Sequence, residues 1–241
     1  MKSGCSNCQT IQCLWTIPKI WKKFWKGSKM NNIKEIIWDF DGVILLSDAV
    51  REYGFRKIFE THPEDQVEQL VQFHLKNGGL SRYVKIRYFY EKILNQSITE
   101  EEVNRLADNF SVIMKDALVN VNLLNPEWIE LMKEIGGAYV HSIASGSDGK
   151  ELNYLCQTLG IAKHFKIISG SPTPKKQLVA DIISSSDFSP AEIVLIGDAV
   201  NDLEAAEFNQ IKFIGYHHHS LKDAPLFLTD LTKVAQILNR N

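Results

Sequence analysis

Two aspartates, Asp39 and Asp41, end an apolar run and are followed at once by Gly42. In an extended segment the side chains of residues i and i+2 point to the same side, so we expect these two carboxylates to share one small volume. Two carboxylates so close repel each other unless a cation lies between them or one holds a proton. Either state suits nucleophilic catalysis, in which one carboxylate attacks and the other transfers a proton. The non-catalytic interpretation is a pair of loop-capping aspartates.

A second acidic cluster ends another apolar run in the segment IGDAVND, residues 196–202. Its acids are Asp198 and Asp202, with Asn201 between them. If the two apolar runs form neighbouring parallel strands, Asp198 comes close to Asp39 at the carboxyl edge of the sheet. An all-oxygen site of this kind suits Mg²⁺.

Two further segments carry groups that bind anions. Ser145 and Gly146 end a third apolar run, where a hydroxyl and free backbone N–H groups at a helix start favour an anion. Lys175 and Lys176 precede a helical pattern, and an ammonium group there is placed to reach a phosphate. Both lysines compete for that role, and the spacing to Leu178, the first core-facing position of the helix, favours Lys175.

The elements that position these residues are apolar runs separated by helical patterns. The runs start at Ile33 and recur at residues 138–145, 165–169, 192–198 and 211–216. Strands that alternate with helices predict βαβ units, and hence an α/β fold with a parallel sheet covered by helices on both faces. The stretch from about Leu46 to Pro126 breaks this pattern with mostly polar helical periodicity, which predicts an all-helical insertion.

Taken in order, these segments resemble the four motifs of the haloacid dehalogenase superfamily. The matches are Asp39-Phe40-Asp41-Gly42-Val43, then Ser145, then Lys175, then Gly197-Asp198 through Asn201-Asp202. The resemblance covers about residues 33 to 215 and implies a Rossmann-like core. The extra length lies between the first and second motifs, which in this superfamily marks a helical type 1 cap, as in the phosphoglycolate phosphatase and β-phosphoglucomutase-like group.

The resemblance implies a role for each matched residue. Asp39 is expected to be the nucleophile that becomes an aspartyl-phosphate, and Asp41 the general acid and base. Ser145, Gly146 and Lys175 are expected to hold the phosphoryl oxygens. The expected ligands of Mg²⁺ are the side chains of Asp39 and Asp198 and the backbone carbonyl of Asp41. Asn201 and Asp202 are expected to order the metal's waters and the lysine.

The expected domain organisation follows from these boundaries. Residues 1–30 form a leader, residues 31–45 and 127–241 the Rossmann-like core, and residues 46–126 the helical cap. In capped relatives a loop between cap helices closes over the phosphate site, and residues 77–83 fit that description. Arg82 in this segment is a candidate to pair with a carboxylate or second phosphate of the substrate, while the alternative is a surface salt bridge.

The predicted function is therefore Mg²⁺-dependent hydrolysis of a small phosphorylated metabolite through an aspartyl-phosphate. A dehalogenase does not need Asp41, because a halide leaves without a proton. A phosphomutase of the β-phosphoglucomutase type stays open, since it shares all four motifs and differs in what receives the phosphoryl group. A non-catalytic binding module is expected to lack at least one motif, and all four are present.

Net charge and the distribution of apolar and basic residues indicate which partners and which cellular location to expect. The formal net charge of −2 argues against nucleic-acid binding, and the absence of a long apolar run favours a cytoplasmic protein. Residues 17–26 place apolar side chains at helical spacing among four lysines, which predicts a short basic amphipathic helix. Such a helix has the composition for weak peripheral contact with an anionic membrane or with another protein, and a helix folded back on the body or a disordered leader are the alternatives.

Overall fold

The computed structural model describes Met30 and residues 32–239. The basic amphipathic helix predicted at residues 17–26, and with it the predicted leader, lies outside the described residues. None of the described helices is both long enough and apolar enough to cross a membrane.

Six parallel strands form one sheet in the order β3-β2-β1-β4-β5-β6. The strands are β1 (Glu35–Trp38), β2 (Val140–Asp148), β3 (Ile167–Ser171), β4 (Ile193–Gly197), β5 (Lys212–Tyr216) and β6 (Phe227–Leu228). Strand β1 is central and pairs with β2 on one side and β4 on the other. The predicted α/β class with a parallel sheet is confirmed, and the three strands that carry the acidic and serine motifs are direct neighbours.

The central strands are apolar because both faces of the sheet are covered. Every residue of β1 and β4 is buried, as is typical of a parallel sheet between two helical layers. Glu35 is the charged exception in β1, and its carboxylate accepts hydrogen bonds from the hydroxyls of Ser142 and Ser186. The register places Trp38 opposite Ile143 and Ile196, so the residues that follow these strands emerge at one level of the sheet edge.

Strand β2 runs further than the sequence predicts. We expect its end at residue 145, but it continues to Asp148, with an irregularity in its pairing with β3 between Ala144 and Asp148. Such a bulge bends a strand and changes the direction in which its side chains point. It covers Ser145, Gly146 and Ser147, so the predicted anion-binding segment lies on an irregular strand end.

Nine α-helices lie in the described part of the chain. They are α1 (Asp48–Ile58), α2 (Glu64–Lys76), α3 (Arg82–Tyr88), α4 (Glu100–Ala117), α5 (Pro126–Ile135), α6 (Gly149–Thr158), α7 (Lys175–Ser184), α8 (Val200–Phe208) and α9 (Lys233–Leu238). Helix α3 continues into a π-helical turn, Phe89–Ile93. Thr99 caps α4 as its sequence predicts, because its hydroxyl accepts a hydrogen bond from the backbone N–H of Glu102.

Helices α1 to α4 lie between β1 and α5, where the sequence predicts a helical insertion. They enclose buried aromatic side chains, with the Phe55 and Phe110 ring centroids 4.6 Å apart and those of Phe59 and Phe89 4.0 Å apart. The two chain segments that lead into and out of these helices run side by side. Leu46 N–H donates to Leu123 O, and the Asn125 amide nitrogen donates to Val43 O at 2.9 Å. The treatment of residues 46–126 as a separate cap domain stays a prediction.

Candidate active site

Three carboxylates converge at the carboxyl edge of the sheet. Asp39 follows β1, Asp198 follows β4, and Asp202 lies in the first turn of α8. Each offers a carboxylate oxygen, and these oxygens all lie within 4.8 Å of one another. Asp39 and Asp202 are buried, so their mutual repulsion is poorly screened by water. The sequence-based expectation that Asp198 lies beside Asp39 agrees with this geometry.

One lysine partly neutralises this acidic cluster. Lys175, at the start of α7, places its Nζ atom 2.8 Å from Asp39 Oδ1 and donates a hydrogen bond to Asp202. The two carboxylates raise the pKa of the buried Lys175 ammonium against the effect of its burial, so it stays charged. Lys176 instead lies 3.4 Å from Glu204, with a side chain 47% exposed. Of the two lysines between which the sequence left a choice, Lys175 contacts the acidic cluster.

The acidic cluster has more carboxylates than Lys175 alone can neutralise. Burial, together with repulsion from Asp202, raises the pKa of Asp39 to about 7, although Lys175 opposes the shift. Burial also raises the pKa of Asp198 well above its usual range, and repulsion from Asp39 and Asp202 adds to this effect. One lysine against three acids therefore leaves a demand for further positive charge. Oxygen donors with this charge deficit suit a hard divalent cation such as Mg²⁺.

Asp41 has different neighbours. Its carboxylate accepts hydrogen bonds from the hydroxyl of Ser47 at 2.5 Å, from Nε of Arg51 at 2.6 Å and from the hydroxyl of Ser147. Burial alone would raise the pKa of Asp41, but the Arg51 guanidinium and the three hydrogen bonds together lower it. Asp41 is thus ionised here and can accept a proton, whereas donation requires that it first take one up.

Asp39 and Asp41 line one cavity of about 30 Å³. Three other predicted site residues, Arg82, Ser145 and Gly146, line the same cavity. The full lining is Asp39, Asp41, Arg51, Phe55, Gly78, Gly79, Leu80, Arg82, Lys85, Phe110, Ser145, Gly146 and Ser147. The cavity is thus bounded by the sheet edge, by helices α1, α3 and α4, and by the loop before α3. Its small volume leaves room for about one or two water molecules.

The predicted anion-binding segment forms one wall of this cavity. The hydroxyl of Ser145 is buried and accepts a hydrogen bond of 3.0 Å from the backbone N–H of Ser147. Gly146 lies so close to the loop before α3 that a Cβ atom at this position would be 2.3 Å from Gly79 O. A side chain at residue 146 would therefore push the loop away from the sheet edge.

Two predicted residues make contacts other than those expected. Asn201, expected near the metal's waters, instead donates from Nδ2 to Gly79 O at 2.7 Å. Asp202, expected one step further from the metal, is itself one of the three converging carboxylates and also accepts a 3.0 Å hydrogen bond from Ala199 N. The sequence shows that these polar residues follow β4 but does not show which partner each one meets.

Arg82 lines the cavity, but its guanidinium is already engaged. Its Nη1 donates to Ser111 Oγ and its Nη2 to Glu151 Oε1, each at 2.7 Å. The guanidinium also lies 4.6 Å from the centre of the Phe110 ring. Arg82 is therefore a buried residue and not part of a surface salt bridge, which was the alternative interpretation. Its contact with substrate stays a prediction.

Two cations that no sequence motif marks line the same cavity. Arg51 bonds Asp41 and Glu151, and Lys85 bonds His74 Nδ1 at 2.9 Å and Gly78 O at 3.0 Å. Both lie in polar helical stretches where charged side chains usually face water. Ser47 and Arg51 are four positions apart in the sequence, a spacing that places two side chains on the same face of a helix. This spacing is the one feature of the sequence that indicates a position for Arg51 beside Asp41.

The close approach of Gly79 gives a testable prediction with a matched control. A Cβ atom at Gly79 would lie 2.0 Å from Asn201 Oδ1, whereas one at Gly78 would meet nothing within 4 Å. If the expected activity on phosphate esters is correct, Gly79→Ala should lower kcat/KM by at least about 10-fold. The added methyl group forces Asn201 or the loop to move, which disturbs the hydrogen bond from Asn201 to Gly79 O. Gly78→Ala should leave kcat/KM within about 2-fold, because it adds a methyl group to open space. Equal rates for both variants would contradict the role of this contact.

Comparisons with known proteins place the chain in a family. The sequence model of the haloacid dehalogenase-like hydrolases matches residues 36–216, and the chain belongs to this family. A phosphoglycolate phosphatase of Haemophilus influenzae (strain 86-028NP) is 24% identical over 190 residues, which cover 72% of this chain and 80% of the relative.

Solved structures show the same fold. A β-phosphoglucomutase from Clostridium difficile superposes with a TM-score of 0.69 at 19% identity, covering 86% of this chain and 97% of that one. A predicted phosphoglycolate phosphatase from Haemophilus somnus 129PT gives a TM-score of 0.67 at 16% identity, with 86% and 99% covered. The likeness to haloacid dehalogenase-like hydrolases that the motifs indicate is confirmed.

Proposed function

We propose that this hydrolase is a Mg²⁺-dependent phosphatase that acts on a small phosphorylated metabolite through an aspartyl-phosphate on Asp39. The observation that carries the proposal is the position of Asp39, which contacts Lys175, lies within the acidic cluster and lines the cavity shared with Asp41 and Ser145. A buried carboxylate with an adjacent ammonium, a proton-transfer partner and an anion-binding strand end has the parts that nucleophilic phosphoryl transfer requires.

The chain's own residues would act in two steps. In the first, an oxygen of Asp39 bonds to phosphorus and the ester P–O bond breaks. The leaving oxygen takes a proton from Asp41, which must first have gained that proton from solvent. In the second, water attacks phosphorus, the bond to Asp39 breaks, and Asp41 accepts the proton of that water. Ser145, Gly146 and Lys175 would hold the phosphoryl oxygens throughout. Helices α1 to α4 would form the cap that excludes bulk water and selects the leaving group.

Mg²⁺ would be held by the side chains of Asp39 and Asp198 and by the backbone carbonyl of Asp41. The excess negative charge of the three converging carboxylates supports this assignment. When bound, the ion supplies positive charge against the carboxylates and the phosphoryl oxygens.

Hydrolysis of p-nitrophenyl phosphate with and without Mg²⁺ tests the proposal. We expect chelation to abolish release of inorganic phosphate and added Mg²⁺ to restore it. Asp198→Asn should raise the Mg²⁺ concentration needed for half-maximal rate by about 100-fold or more, because it removes a charged oxygen ligand. Asp187→Asn is the matched control, since that carboxylate is 91% exposed and lies outside the site. Activity that survives thorough chelation would contradict the metal assignment.

A further inference from the structure

Arg51 offers a buried N–H group that no described residue accepts. The side chain is 8% exposed, its Nε donates to Asp41 and its Nη1 donates to Glu151 Oε1 at 2.9 Å. Its Nη2 is buried and has no hydrogen-bond partner among the described residues. A buried guanidinium N–H group without an acceptor has lost the hydrogen bond that it makes to water in the unfolded chain. This loss is unfavourable unless a ligand supplies the acceptor.

Not every cation of this cavity is paired with an anion. Asp39 also lines the cavity, but its carboxylate is paired with Lys175. Arg51 and Arg82 are balanced by Asp41 and Glu151, whereas the Lys85 ammonium is bonded to the neutral groups of His74 and Gly78. Burial lowers the pKa of Lys85 to about 7. The charged groups that face it are Arg51 and Arg82, which lower it further, and Asp41 and Asp48, which oppose the shift. An anion entering this cavity beside Arg51 would meet the unpaired Nη2 group and the Lys85 side chain, which is partly protonated near neutral pH.

We propose that Arg51 binds an anionic group, a carboxylate or a second phosphate, on the leaving alcohol of the substrate. This inference rests on the proposed phosphatase function, because it treats the cavity beside Asp41 as the site of the leaving group. Since Nε of the same guanidinium contacts Asp41, the anion lies within a few bonds of the ester oxygen. The Phe55 and Phe110 side chains on the cavity wall leave little space for a large leaving group.

Arg51 fits this role better than Arg82 does. Both terminal nitrogens of Arg82 already donate to protein acceptors, so an incoming anion would have to displace Ser111 or Glu151. The Nη2 group of Arg51 gains an acceptor without losing one. Guanidinium groups are well suited to this task because their planar fork presents several donors at fixed angles.

Three matched esters test the proposal: the phosphate monoesters of glycolic acid and of glycolamide, and the bisphosphate of 1,2-ethanediol. We expect wild-type kcat/KM to favour at least one of the two charged esters over the amide by about 100-fold. Arg51→Met should abolish most of that preference. Arg56→Met removes an arginine from the outer face of α1, where it pairs with Glu52 and Glu68, and should leave the preference intact. The two charged esters distinguish a carboxylate from a second phosphate.

A second measurement does not depend on turnover. Binding of the three esters to the Asp39→Asn variant, followed by calorimetry, should show the same preference and its loss when Arg51→Met is added. Arg51→Lys keeps a positive charge beside Asp41 but lacks the forked guanidinium group, so it should also lose the preference for charged esters. This variant replaces Arg51→Met in the test if the Met variant does not fold.

The outcomes separate the two proposals. Preferential binding of a charged ester without any hydrolysis would support the anion site and contradict the phosphatase assignment. An equal loss on all three esters in Arg51→Met would mean that Arg51 only positions Asp41, and it would overturn the inference. If Arg82→Met loses the preference for charged esters and Arg51→Met keeps it, Arg82 binds the anionic group. That result would also overturn the inference.

Discussion

Replacing Asp39 by Asn should lower kcat for phosphate monoester hydrolysis by at least about 10⁴-fold. The amide has nearly the shape of the carboxylate, but its oxygen is a poor nucleophile and carries no charge. Steady-state release of phosphate from p-nitrophenyl phosphate at saturating Mg²⁺ measures the effect. A variant that keeps more than about 1% of the wild-type kcat would contradict attack by Asp39.

The stability of the same variant separates chemistry from folding. Because burial raises the pKa of Asp39 to about 7, the fold gains little from its charge in the absence of a cation. Asp39→Asn should therefore melt at or above the wild-type temperature when Mg²⁺ is absent. Added Mg²⁺ should raise the melting temperature of Asp39→Asn less than that of the wild type, because the variant has lost a charged ligand. A large fall in melting temperature without Mg²⁺ would show that lost activity reflects misfolding.

Replacing Lys175 by Met should have the second largest effect, on both stability and activity. The ammonium contacts Asp39 and Asp202, and its removal leaves two buried carboxylates without a charge partner. Breaking a buried ion pair in this way typically lowers the free energy of unfolding by about 3–5 kcal/mol. We also expect kcat to fall by about 10³-fold, because a fixed positive charge beside the reacting group is lost. Urea unfolding and phosphate release measure the two effects.

The neighbouring lysine is the matched control. Lys176 is 47% exposed and lies 3.4 Å from Glu204, so Lys176→Met should change the free energy of unfolding by less than about 0.5 kcal/mol. Added Mg²⁺ should stabilise Lys175→Met more than it stabilises the wild type, since the ion replaces missing positive charge. Equal stabilities of the two Met variants would contradict the position of Lys175 in the acidic cluster.

The sheet and the acidic cluster could be predicted from sequence because both follow from short-range patterns. Apolar runs such as the one before Asp39 mark strands that are buried on both faces, and polar residues at their ends meet at one edge. This reasoning brings Asp198 to Asp39 without any structural information. It does not find β6, whose two residues are too few to form a pattern.

The cavity wall formed by the helices could not be predicted in the same way. Arg51 and Lys85 lie in helices with many charged residues, and the sequence does not distinguish a cation that faces the cavity from one that faces water. The partner of Asn201 depends on where the loop containing Gly79 comes to lie, which is a contact between residues 122 positions apart. Likewise the motifs indicate Asp41 as the general acid and base, but its lowered pKa results from Arg51 and the hydrogen bonds of Ser47 and Ser147, and no motif marks Arg51.

Identification of the phosphorylated residue during turnover tests the central claim most directly. With p-nitrophenyl phosphate, whose leaving group departs without a proton, the Asp41→Asn variant should still form the intermediate. It should slow hydrolysis of that intermediate, because no carboxylate remains to take the proton from water. Acid quenching during turnover followed by peptide mass analysis should then find one phosphoryl group on the peptide that contains Asp39, and the group should be absent from the Asp39→Asn protein. A phosphoryl group on a histidine or serine, or turnover with no phosphorylated peptide, would contradict the account.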